Sequence, residues 1–77
     1  MPVAPEPDFL TLVACEIRAQ RARLGRTQAQ VAADLGVMRQ TLAAWEQGEA
    51  LPTDRDPAHW QRALGISFND LLRRALS

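Results

Sequence analysis

The four glycines of this 77-residue chain, Gly25, Gly36, Gly48 and Gly65, each follow a segment whose apolar residues recur at helical spacing. A glycine just past a helix takes the left-handed conformation without a side-chain penalty, so each one reads as a stop. Ahead of the first stop, Asp8 offers a side-chain oxygen as a cap, and Leu10, Val13, Ala14, Ile17 and Leu24 make the inner stripe of a helix from about Phe9 to Leu24. Thr27 with Gln30 three residues on has capping-box spacing, and Val31, Ala32 and Leu35 face inward behind it. A third helix runs from about Met38 to Gln47, with Leu42 and Trp45 on its inner side. After a loop from Glu49 to Asp56, the pair Asp56-Pro57 opens a fourth helix that reaches Leu64. Ser67 with Asp70 repeats the capping-box pattern before a fifth, whose stripe is Phe68, Leu71, Leu72, Ala75 and Leu76.

Alanine is abundant, tyrosine is absent and β-branched residues show no period-two alternation, so the fold class predicted is all-α, a compact five-helix bundle. Residues 9–77 form one domain, since a chain this short buries a single modest core. Residues 1–8, with three prolines and no periodicity, read as a flexible Pro-rich N-terminal arm.

Several functions are disfavoured. Cys15 is the single cysteine, which leaves no intramolecular disulfide and no zinc site; no metal or cofactor is expected, and reducing cytoplasm is the simplest setting. The apolar runs are too short to span a bilayer, and no export signal is visible near Met1. No paired carboxylates, activated nucleophile or phosphate-cradling glycine loop marks an enzyme. The chain carries nine basic and nine acidic residues, but every basic one is arginine. Arg18, Arg21, Arg23, Arg26 and Arg39 lie in a stretch whose only acid is Asp34. A neutral chain can thus present one positive face, as a phosphate backbone requires.

The stretch from Thr27 to Gly48, TQAQVAADLGVMRQTLAAWEQG, carries the function. Ala32 is small where two helices cross closely, and Gly36 allows a sharp reversal in a positive-φ conformation. Val31, Leu35, Val37, Leu42 and Trp45 pin the second of these helices by one face, so that its opposite face is held outward. With WEQGEALP and LGISFNDLL at matching distances, and Gly25-Arg26-Thr27-Gln28 ahead, the sequence resembles the Cro/repressor-like, or Xre-like, helix-turn-helix family from about Ile17 to Leu72.

That resemblance implies a phage-repressor-like DNA-binding domain whose helix-turn-helix is formed by helices two and three, helix three lying in the major groove. Its base-reading positions would be Met38, Arg39, Gln40, Thr41, Ala43, Ala44 and Gln47, with Gln40 suited to adenine, Arg39 to guanine, and Met38 and Ala43 to thymine methyls. Thr27, Gln28 and Arg39 would meet phosphate, Gln28 weakening all sequences about equally when lost. Arg21 and Glu46 match a structural ion pair across helices one and three. The sequence departs from the family pattern at Met38, in place of a polar cap, at Arg26, where an apolar residue is common, and at Ala44, where a basic or polar reader is frequent. It departs again at Glu49, Asp54 and Asp56, which would repel phosphate.

The function these features imply is that of a transcriptional regulator, in the form of a repressor, acting on a pseudo-palindromic double-stranded operator as a homodimer. Phe68, Leu72 and Leu76 are the candidate dimer surface. Two alternatives use the same fold: an antitoxin that also masks a toxin partner, and a protein-interaction module that has lost DNA binding. Arg18 and Arg23 read as solvated surface, His59 as a partly exposed helix residue, Trp60 as core and Cys15 as a small, partly buried side chain.

Overall fold

The computed structural model describes residues 8–77. The expected arm therefore lies outside the described residues except for Asp8, which caps the first helix through a 2.8 Å bond accepted from the Thr11 amide. Five helices follow: α1 (Phe9–Arg23), α2 (Gln28–Leu35), α3 (Arg39–Glu46), α4 (Pro57–Leu64) and α5 (Phe68–Leu76). No strand occurs among the described residues. α1 packs against α3 and α5, α2 against α3 and α4, and α4 against α5.

Local chemistry accounts for most boundaries. Thr27 Oγ1 accepts from the Gln30 amide at 3.1 Å while Gln30 Oε1 accepts from the Thr27 amide at 2.9 Å, so both halves of the capping box form. At α5 only one half forms. Ser67 Oγ accepts from the Asp70 amide at 3.2 Å, but the Asp70 carboxylate lies 3.7 Å from Arg73 instead of reaching back. An aspartate is one methylene shorter than the glutamate or glutamine that completes such a box. α1 ends one residue before its predicted limit. Leu24 is its C-cap and 41% exposed, which removes it from the inner stripe.

Trp60 occupies the centre of the core, fully buried. Its ring stacks on Trp45 at 6.1 Å and meets Phe68 at 5.1 Å, so one aromatic column joins α3, α4 and α5. The indole N–H donates to the Asp54 carbonyl at 2.7 Å, which satisfies its one polar atom and ties the 49–56 loop to the core. Phe68 corrects an expectation. It is 2% exposed, under the guanidinium of Arg55 at 5.6 Å, and its ring is consumed by the core instead of facing a partner. Leu72 is half-buried against the same core, and Leu76 is exposed.

The acidic loop has structural work to do. Asp56 Oδ1 caps α4 by accepting from the Ala58 amide at 2.9 Å. Asp54 Oδ1 accepts from the Asp56 amide at 2.9 Å, and its other oxygen meets His59 Nδ1 at 2.6 Å. The Asp56 amide, followed by His59, holds the Asp54 carboxyl below its ordinary value of 3.8. A lowered carboxyl pKa stabilises the fold above its unfolded value, and that contribution is lost as pH falls through the folded one. Asp54→Asn should therefore lower the thermal midpoint at neutral pH and reduce the further loss between about pH 5 and 2. Melting the two proteins across that range tests this, and parallel acid limbs would contradict it.

Gly36 adopts φ 71° and ψ 28°, with nothing within 4 Å of where a Cβ would stand. Substitution there meets strain in the backbone and no clash. Gly36→Ala should cost about 1–2 kcal/mol in urea unfolding, and Gly36→Asn less, since asparagine tolerates the left-handed region. Equal losses for the two would point to a steric cause.

Candidate nucleic-acid interface

The turn between α2 and α3 is closed by two reverse bonds. The Gly36 amide donates to Ala33 O at 3.1 Å and the Val37 amide to Ala32 O at 3.0 Å. Val37, half-buried against the core, anchors the chain as it turns. Ala32 is 2% exposed on the face of α2 that meets the core, where little room remains for a larger side chain. α3 then starts at Met38, whose thioether side chain makes no cap bond, as its departure from the family pattern predicts.

On α3, Leu42, Trp45 and Glu46 are buried, Arg39 and Gln40 are exposed, and Thr41, Ala43 and Ala44 are half-buried; Gln47, expected within the helix, is its C-cap and is exposed. Met38, ahead of the helix, is 67% exposed. None of the seven expected base-reading residues points into the core. Gln40, Ala44 and Gln47 fall at helical spacings of four and three, which makes one stripe of two amides with a small side chain between.

Glu46 is the charged residue of the inner face, 2% exposed. Arg21 on α1 meets it in a fork: Nε donates to Oε2 and Nη2 to Oε1, both at 2.9 Å. Arg21 Nη1 also donates to the Arg26 carbonyl at 3.0 Å. The hydrogen bonds to Glu46 raise the guanidinium pKa above its ordinary value. A raised basic pKa leaves the pair's contribution fully present at every pH below that unfolded value.

Gln28 and Arg39, expected at phosphate, are brought together with this pair. Gln28 Nε2 donates to Glu46 Oε1 at 3.3 Å, and Arg39 Nη1 donates to Gln28 Oε1 at 3.4 Å. Thr27, exposed, is engaged in capping α2. The remaining arginines divide. Arg26 pairs with Asp34 and donates to Ala63 O at 2.9 Å, so it ties α2 to the C-terminal carbonyls of α4. That is why a charged residue stands where an apolar one is common, and no local pattern reveals it. Arg18 and Arg23 are exposed; they donate to Cys15 Sγ at 3.2 Å and Gln20 Oε1 at 2.9 Å, and neither pairs with an acid among the described residues. Cys15 is exposed, against the expectation of partial burial. His59 is half-buried as expected, but is held by Asp54.

The helix-turn-helix family model matches residues 17–71. The chain belongs to that family, in its Xre/Cro-like form, and on that membership is a DNA-binding regulator of transcription. Among solved structures it is similar to the clp gene regulator ClgR from Corynebacterium glutamicum, with a TM-score of 0.80 and 29% identity over 94% of this chain and 77% of that one. It shares its fold with the restriction-modification controller protein C.Esp1396I, with a TM-score of 0.71 and 22% identity over 92% of this chain and 95% of that one. A point variant of that controller superposes with a TM-score of 0.72 at 21% identity, over 94% of this chain and 95% of that one. No curated protein matches. Among the described residues, no helix is long and apolar enough to cross a membrane.

Removing Arg21 would leave the buried Glu46 carboxylate without its main partner. Arg21→Ala should cost about 3–5 kcal/mol and abolish DNA binding by unfolding the domain. Circular dichroism melting tests this; a folded variant with an unchanged midpoint would show that the pair is dispensable.

Proposed function

We propose that this chain is a sequence-specific transcriptional repressor that seats α3 in the major groove of a pseudo-palindromic operator as a homodimer. The observation that supports it best is the outward stripe of α3, with Arg39, Gln40 and Gln47 exposed on a helix whose other side is clamped by Glu46. In this reading Gln40 pairs with adenine and Arg39 with guanine, while Met38 and Ala43 pack on thymine methyls. Thr41, Ala44 and Gln47 line the remaining contact. Thr27 and Gln28, at the start of α2, meet phosphate with help from the helix dipole, and Arg39 can do so as well. Two copies joined through Leu72 and Leu76 would hold their α3 helices about 34 Å apart, one turn of duplex. Similarity to a clp gene regulator supports action at a promoter.

Selection of bound duplexes from a random pool, at a stated low salt concentration, tests the reading. The wild-type chain should enrich a two-fold-related site, and Gln40→Ala should lose preference at one position per half-site, a change of about 1–3 kcal/mol there. Enrichment of no sequence would favour a domain that binds protein alone and overturn the proposal.

A further inference from the structure

Met38 departs from the family pattern, and the fold makes little use of its side chain. Its backbone carbonyl accepts from the Thr41 and Leu42 amides at 3.0 and 3.1 Å and so opens α3, but the thioether makes no cap bond. The other four helices are each capped by a side-chain oxygen, from Asp8, Thr27, Asp56 and Ser67. Burial does not explain the residue either. Met38 is 67% exposed, the most of any large apolar side chain among the described residues, and it stands at the head of the outward face of α3 beside exposed Arg39 and Gln40. A thioether in that place differs from an aliphatic side chain, because a reversible step can make it polar. A peroxide supplies the oxygen: the sulfur lone pair attacks it, the O–O bond breaks as an S–O bond forms, and the proton of the transferred hydroxyl passes to the departing hydroxide, which leaves as water. Sulfur loses two electrons and the peroxide gains them.

We infer that Met38 is a reversible oxidation site, and that its conversion to methionine sulfoxide weakens operator binding while leaving the fold intact. The effect on binding rests on the reading proposed above, in which α3 enters the major groove and Met38 packs on a thymine methyl. There the new oxygen would give up water and receive no donor from the methyl, which lowers affinity about tenfold per half-site. The fold is spared because the side chain neither caps α3 nor lies in the core.

The test follows wild type and Met38→Leu through treatment with hydrogen peroxide, and then through a pair of methionine sulfoxide reductases, one for each epimer, with a dithiol as reductant. Peptide mass spectrometry, thermal melting and binding to the duplex that wild type enriches are measured at each stage. Peroxide should add one oxygen at Met38, lower wild-type affinity about tenfold per half-site and leave the melting midpoint where it was. Reduction should restore the affinity, the sulfoxide oxygen leaving as water while the dithiol closes to a disulfide. Met38→Leu retains the chain's other sulfurs, Cys15, which is exposed on α1, and Met1. Whatever its affinity before peroxide, this variant should keep that affinity afterwards. An equal loss in Met38→Leu would assign the effect to another sulfur and overturn the inference. So would an unmodified Met38 at a dose that oxidises free methionine, or a midpoint that falls in step with binding. If wild type enriches no duplex, the underlying reading and this inference fall together, whereas an enriched duplex bound equally well by the Met38-oxidised protein sinks the inference alone.

Discussion

The bond between Arg21 and Glu46 decides how α3 sits, and the outward face of α3 depends on it. An eight-residue helix is too short to hold itself in water, and this one begins at a methionine that supplies no cap. Its order comes from what it buries. Leu42 and Trp45 supply apolar area, but apolar contacts tolerate rolling, whereas a buried carboxylate must face its cation. The fork from α1 therefore fixes the rotation of α3 about its axis. Gln40, Ala44 and Gln47 point outward because Glu46, two residues past Ala44, has to point inward.

Elsewhere polar groups close the ends of short helices that apolar packing alone would leave ragged. Arg26 reaches the last carbonyls of α4, Asp56 meets its first amides, and Asp54 braces the loop that carries Asp56. The loop acids thereby have a structural reason to be present. Glu49 is exposed and has no such bond among the described residues. The chain's neutral total conceals this division between arginines engaged in the fold, such as Arg21 and Arg26, and others, such as Arg18 and Arg23, that face solvent without an acid partner among the described residues.

Similarity to ClgR and to the controller protein reaches across more than nine-tenths of this chain at 21–29% identity. In this chain the architecture rests on few residues: a small residue at Ala32, glycine at Gly36, an apolar seam and one buried charge pair. Outward residues of α3 carry no part of the core and are free to differ. On the proposed reading, sequence preference belongs to this chain's own Arg39, Gln40 and Gln47 and is not inherited with the fold.

Helix number, helix ends to within a residue and the inner residues of the turn were legible in the sequence, because each is set by neighbours within about four positions. Capping boxes, glycine stops and a 3.6-residue apolar period are local physics. Arg21 with Glu46, 25 residues apart, was legible only through family resemblance. Three features were decided by the tertiary structure alone. Phe68 turned inward because the aromatic column of Trp45 and Trp60 offered it a site, although its stripe was wide enough to face either way. Arg26 found Ala63, 37 residues on, and Gln28 found Glu46, 18 residues on, through packing that no spacing rule encodes. The chain specifies its helices by short-range chemistry, but the partners of its long polar side chains exist only once α1, α2, α3 and α4 have closed on one another.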